Sequence, residues 1–331
     1  VRTWFLRVLT LLLCLALAGG GVGVWWVGRV VELPPGGIEL EVEPGMGARQ
    51  VAVLVSQSGV PLDPSALYIW FRVSGQSRRI LAGSYGLENT ITPWQLLGKL
   101  TGSDVSVGAV TLVEGWNFRQ VRQTLAAAEG LKPTTKSLSD AELMTLLGRP
   151  GVPPEGRFFP DTYSYPRGTS DVKVLQRALR AMDKRLDAAW QARSSRTALT
   201  SPDEALILAS IIEKETGRVA DQGQISAVFN NRLFLGMRLQ TDPTVIYGMG
   251  PQFSGNLHKA DLQNDTPFNT YTRAGLPPTP IAMPGRTALL AAVQPAQSKA
   301  LYFVARGDGS SQFSATLEEH NRAVDAYQRK K

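Results

Sequence analysis

The spacing of apolar and polar residues changes several times along this chain, and each change marks a part. Val8 to Gly28 is an uncharged run of 21 residues behind Arg2 and Arg7, close to the ~20 that cross a hydrocarbon core. Arginines before the run and Trp25 and Trp26 near its end predict a single-pass anchor with its N-terminus inside. Ala16-Leu-Ala18 offers a signal-peptidase site as a rival. A cleaved leader would not need the apolar continuation through Val22-Gly-Val-Trp-Trp-Val27. Cys14 follows Leu11-Leu-Leu13 rather than small residues, which argues against a lipidated cysteine.

Pro34-Pro-Gly-Gly37 reads as a short linker. Ile38-Glu-Leu-Glu-Val42 then alternates with period two and predicts a strand. Ala48 to Val55 shifts to helical spacing, with a second helix near Pro64 to Phe71. A strand over Leu81 to Tyr85 and a helix starting at Thr92-Pro-Trp-Gln complete a small β-α-α-β module. In the remainder, Val113-Glu-Gly-Trp-Asn-Phe118 predicts a strand and turn before a helix from Arg119 to Ala128. A Pro/Gly-rich turn over 148–156 leads to Arg157-Phe-Phe-Pro-Asp-Thr-Tyr163. Val174, Leu175, Ala178, Leu179, Met182 and Leu186 recur at 3–4 spacing in a helix from Asp171 to Ala192. A helix around Gln224 to Leu235, a hairpin around Arg306-Gly-Asp-Gly-Ser-Ser311 and a closing helix from Ala315 to Gln328 follow. The expected fold class is α+β: an N-terminal transmembrane anchor at 1–31, a small module at 32–112, and a larger helix-rich unit with short strands at 113–331.

One helix stands out. In Ser201-Pro-Asp-Glu-Ala-Leu-Ile-Leu-Ala-Ser-Ile-Ile-Glu-Lys-Glu-Thr216, Ser201 caps the start, Pro202 takes the first helical position and Glu204 completes a capping box. Only Ser210 is polar between Ala205 and Ile212, so this stretch should be buried. Glu213 and Glu215 end the apolar run on faces about 160° apart at 100° per residue. A carboxyl at the edge of apolar surroundings has its charged form disfavoured, which suits it to general acid work near neutral pH.

Composition narrows the chemistry. The net charge of +7 comes from 35 basic and 28 acidic residues. They are scattered without a Lys/Arg block, so no nucleic-acid partner is expected. A positive surface suits an acidic polymer. The single cysteine, Cys14, and only two histidines, His258 and His320, disfavour disulfides and a zinc centre. No metal or other cofactor is expected.

Ala209-Ser-Ile-Ile-Glu-Lys-Glu-Thr216, Leu239-Gln-Thr-Asp-Pro-Thr-Val-Ile-Tyr-Gly248, Phe268-Asn-Thr-Tyr271 and Gly275-Leu-Pro-Pro278 closely resemble the endolytic murein transglycosylases of the MltG (YceG-like) family. Glu155-Gly-Arg-Phe-Phe-Pro-Asp-Thr-Tyr163 and Leu301-Tyr-Phe-Val304 extend the resemblance over nearly the whole chain. It implies a catalytic unit at 113–331 and a LysM-like module before it. The implied activity is cleavage of the bond between N-acetylmuramic acid (MurNAc) and N-acetylglucosamine within nascent glycan strands, leaving 1,6-anhydro ends. The implied setting is a bacterial inner membrane with the catalytic unit in the periplasm, acting on peptidoglycan beside penicillin-binding synthases.

Helix spacing does not decide between the two glutamates; the resemblance assigns catalysis to Glu213. Glu215 is then a substrate contact or the partner of a basic residue. Gln240, Thr241, Asp242, Asn269, Thr270 and Tyr271 are candidates for the glycan cleft. Their amides and hydroxyls match sugar substituents, and an aromatic ring can cover a sugar face; ordinary turn chemistry explains several of them equally well. Two other classes stay open: a catalytically silent glycan-binding scaffold for cell-wall synthases, and a muramidase-type hydrolase using Asp242 or Glu215 as base.

Overall fold

The computed structural model describes residues 2–34, 37–43, 45–87, 89–102 and 107–329. The expected linker at 34–37 lies partly outside them. The chain forms two compact units, and the division is not linear: residues 128–131 and 162–169 belong with 1–110, the rest with the second unit.

The first unit begins with α1 (Arg2–Gly28). Among the described residues no helix is long and apolar enough to cross a membrane. β1 (Val31–Glu32) follows, then β2 (Ile38–Val42), α2 (Ala48–Gln57), α3 (Pro64–Val73), β3 (Gly83–Leu87), β4 (Thr90–Ile91), α4 (Pro93–Thr101) and β5 (Val107–Thr111). β2 buries Ile38, Leu40 and Val42 on one face, the alternation its sequence predicts. These side chains share a core with Val51, Val55, Leu67, Phe71, Leu96 and Leu100 from α2, α3 and α4. Thr92 caps α4, its hydroxyl accepting from the Gln95 N–H at 3.1 Å. The β-α-α-β order is therefore present, with β2 and β3 antiparallel. The main sheet also takes in β6 (Thr162–Pro166), parallel to β3, in the order β2-β3-β6-β5. The strand expected at Val113 lies earlier, as β5, and residues 112–117 form a turn.

The second unit holds α5 (Phe118–Ala127), α6 (Asp140–Leu146), α7 (Asp171–Gln191), α8 (Pro202–Glu215), α9 (Val219–Phe234), α10 (Asp242–Met249), α11 (Lys259–Gln263), α12 (Arg286–Val293), the hairpin β7 (Tyr302–Ala305) and β8 (Ser311–Ser314), and α13 (Leu317–Tyr327). α8 runs through its middle, packed by α7, α9, α10 and α12. Every residue from Ala205 to Ile212 is buried, as an all-apolar helix requires. The expected capping box is not completed. Ser201 accepts from the Glu204 N–H at 3.2 Å, but the Glu204 carboxylate reaches past the cap to the Thr200 N–H at 2.6 Å.

Candidate active site

Ser210, the polar residue inside the apolar run of α8, fixes what lies over the helix. Its hydroxyl donates to the Ile207 carbonyl at 2.7 Å and accepts from the Ile281 N–H at 2.9 Å. That bond holds the segment leading to Gly285 along α8. One turn further on, the Glu213 Oε2 accepts from the Gly285 N–H at 2.9 Å. The turn at 113–117 is laced to the same segment: Gly115 N–H donates to the Met283 carbonyl at 2.9 Å, and Met283 N–H to that of Trp116 at 2.7 Å. Gly115 sits at φ +76°, where a side chain is strained. Gly285 has an ordinary backbone conformation, and the Glu114 side chain lies close over it: a Cβ there would meet a Glu114 carboxylate oxygen at 1.9 Å and displace that exposed side chain.

Two carboxyls thus flank Gly285, a half-buried Glu213 and an exposed Glu114. Burial pushes the Glu213 carboxyl above its usual range and the Glu114 charge adds to this; the Gly285 N–H and Lys214 oppose. The Lys214 ammonium donates to the Gly115 carbonyl at 3.3 Å. A cleft of about 980 Å³ opens beside this corner, sharing Gly115 and Lys214 with it and bounded further out by Arg119, Glu155, Tyr247 and Phe253.

Most of the other candidate residues lie elsewhere. Glu215, Gln240, Thr241, Asp242 and Tyr271 come together in a second cleft of about 500 Å³ that Glu213 does not line. There the Thr241 hydroxyl donates to Glu215, and the Tyr271 O–H donates to Asp242 Oδ1 at 2.6 Å. Burial pushes the Glu215 carboxyl up to about 7, Thr241 opposing and Asp242 adding. Asn269 and Thr270 face neither cleft. Asn269 is buried, and its amide donates to the carbonyls of Asp261, Leu262 and Asn264 at 3.3, 3.1 and 2.7 Å. The buried Thr270 hydroxyl bonds that of Thr244 at 2.9 Å and accepts from the Thr241 N–H at 3.1 Å. Asn269 therefore holds the 261–264 turn, and Thr270 braces the 240–241 segment.

Tyr271 is half-buried rather than a core residue. Tyr271→Ala is expected to cost less than the ~3–5 kcal/mol of a core aromatic truncation. A urea titration checks this, and a loss in that range would return the ring to the core.

Sequence reasoning did not single out Glu114, Glu155 or Arg232. The first two lie in Val113-Glu-Gly-Trp-Asn-Phe118 and Glu155-Gly-Arg-Phe-Phe-Pro-Asp-Thr-Tyr163, each a carboxylate next to a glycine in a turn, and that pairing is their signal. Arg232 is buried and donates from Nε to the Leu301 carbonyl at 2.7 Å and from Nη1 to that of Leu239 at 2.8 Å. Nothing in its helical context marks it. Among the described residues no group of three or more His, Cys, Asp or Glu side chains is placed to hold a metal ion.

Several known proteins are similar to this chain. An endolytic murein transglycosylase of Bacillus subtilis (strain 168) is 31% identical over 309 residues, covering 88% of this chain and 84% of that protein. An endolytic murein transglycosylase of Streptococcus pneumoniae serotype 2 is 26% identical over 87% of this chain, although the match spans only 58% of that protein. The crystal structure of a YceG-like protein from Listeria monocytogenes aligns with a TM-score of 0.57 and 29% identity, over 86% of this chain and 98% of that one. Residues 40–326, which take in the Glu213 corner and most of both units, match the YceG-like family, and the chain belongs to that family.

Proposed function

We propose that this protein is an endolytic lytic transglycosylase of peptidoglycan, with Glu213 as its acid and base. The observation that carries the reading is the Glu213 carboxyl itself: half-buried, held above its usual pKa, and next in sequence to Lys214, which lines the 980 Å³ cleft. The relatives named endolytic murein transglycosylases support it. Protonated Glu213 gives its proton to the glycosidic oxygen as the bond to MurNAc C1 breaks. The carboxylate left behind keeps the Gly285 N–H bond and takes the proton of the MurNAc C6 hydroxyl. That oxygen closes on C1 to form the 1,6-anhydro ring, and Glu213 is again protonated. Intramolecular attack needs no positioned water. Glu114, the second carboxylate at the corner, supplies negative charge beside the developing oxocarbenium.

Mass spectrometry of digested glycan strands tests the reaction. Anhydro-MurNAc ends are expected; new reducing ends would mean a hydrolase, and no new ends a scaffold. Glu114→Gln tests the corner. With the neighbouring charge gone, the Glu213 pKa falls and the acid form is lost at lower pH. The alkaline limb of the pH–rate profile should therefore move toward acid, and an unmoved limb would separate the two groups.

The setting is also proposed. No described helix meets the length and apolarity of a membrane span, so the anchor rests on the sequence: the uncharged run over 8–28 and its flanking tryptophans support an inner-membrane segment with the residues beyond it in the periplasm. The β2-α2-α3-β3 order supports a LysM-like module, and the catalytic reading supports synthase partners on nascent strands. The full-length chain should fractionate with the inner membrane, with a C-terminal reporter active only when exported. A mature N-terminus at Gly19 would remove the anchor.

A further inference from the structure

The 980 Å³ cleft is at the upper end of what small-molecule sites occupy, roughly 300–1,000 Å³. Its polar groups are almost all committed. The Glu155 carboxylate accepts from the Phe118 N–H at 3.0 Å and from the Tyr247 O–H at 3.0 Å. Arg122 pairs with Asp140 at 2.9 Å and donates to the carbonyls of Thr135 and Leu138 at 2.8 and 2.7 Å. Lys214 is bonded to the Gly115 carbonyl. Arg119 is the exception. Its exposed guanidinium lies over the cleft close to Gly250, where a Cβ would come within 3.8 Å of Nη2, and among the described residues it has no carboxylate partner. Ile246 and Phe253 give the same cleft an apolar wall.

A guanidinium whose neighbour among the described residues is the Tyr247 hydroxyl and not a carboxylate, beside an apolar wall in a cleft that shares Gly115 and Lys214 with the catalytic corner, suits a carboxylate carried on a short apolar peptide. Resting on the peptidoglycan reading above, we propose that this cleft is a stem-peptide subsite. Arg119 binds a peptide carboxylate there, and Ile246 and Phe253 cover alanine methyl groups. The subsite sets a preference for strands whose MurNAc still carries its peptide.

Two substrates separate the peptide from the lactyl carboxylate of the sugar: strands with intact stems, and the same strands stripped by an amidase. Wild type is expected to favour the intact strands in kcat/KM. Arg119→Ala should shrink the ratio of intact to stripped by about tenfold, the scale of one charged hydrogen bond, and Arg119→Lys should restore part of it. Equal losses on both substrates, or an unchanged ratio, would overturn the subsite. Calorimetry with the free stem pentapeptide reads the site without catalysis. Binding to wild type that weakens about tenfold in Arg119→Ala supports it, even if no anhydro ends form and the activity reading falls. No binding to wild type, while anhydro ends still form, sinks the subsite alone.

Discussion

Glu213→Gln is expected to lower turnover by at least ~100-fold, the scale of general acid–base catalysis, while the protein still folds. Glutamine keeps the size of the side chain, and its carbonyl can accept the Gly285 N–H that Glu213 Oε2 now accepts at 2.9 Å. The corner built by Ser210, Ile281, Gly285 and Gly115 therefore stays in place. What is lost is the proton that moves to the glycosidic oxygen and returns from the C6 hydroxyl. Glu215→Gln is the control, because Glu215 faces the other cleft and bonds Thr241. Release of anhydro-MurNAc by the two purified variants, beside their melting curves, decides the matter. Near-normal activity in Glu213→Gln with none in Glu215→Gln would transfer the acid role to Glu215.

The sequence told more about α8 than about what surrounds it. Its cap, its proline start, its buried run and its end at two glutamates all follow from local chemistry, and the helix spans Pro202–Glu215. The β2-α2-α3-β3 order was legible for the same reason, since alternation and 3.6-residue spacing are local signals. α12 was not. Arg286–Val293 is eight residues long and almost uniformly apolar, too short for a period to declare itself, yet its first amide neighbour is the Gly285 N–H on Glu213. The grouping of residues 240–242 with 269–271 was correct as proximity, since Gln240 N–H donates to the Thr270 carbonyl at 3.1 Å. Gln240, Thr241, Asp242 and Tyr271 line a cleft with Glu215 and not with Glu213, as two glutamates on different faces of α8 allow. The amide of Asn269 and the hydroxyl of Thr270 look like sugar-binding groups in a sequence. Buried, they must satisfy backbone partners first, and only the packing reveals that they are buried.

Glu155 is the other residue whose replacement should have a large effect, and here the effect is on stability. It is buried, its two carboxylate oxygens accept from the Phe118 N–H at 3.0 and 3.1 Å, and the Tyr247 O–H donates to it at 3.0 Å. One side chain thus ties the start of α5, which carries Arg119, to α10. Glu155→Ala would leave the buried Phe118 N–H unpaired, at about 1–3 kcal/mol, would remove an acceptor from the half-buried Tyr247 hydroxyl, and would loosen two walls of the large cleft. Glu155→Gln behaves differently: its carbonyl serves Phe118, its NH2 donates to the Tyr247 oxygen, and nothing titrates. Burial is the main force lifting the Glu155 carboxyl from 4.5 to about 7, with the hydrogen bonds from Phe118 and Tyr247 opposing. A carboxyl whose folded pKa is raised favours the folded state when protonated. That contribution is full below about pH 4.5 and is lost as pH rises through about 7, a swing of at most about 3 kcal/mol. Glu215, also lifted to about 7 by burial, adds a slope of the same sign. The wild-type protein should therefore lose stability between pH 4.5 and 8, and Glu155→Gln should lose less over the same interval. Urea unfolding of both proteins across that range measures the difference; parallel curves would mean that Glu155 does not hold this proton in the folded state.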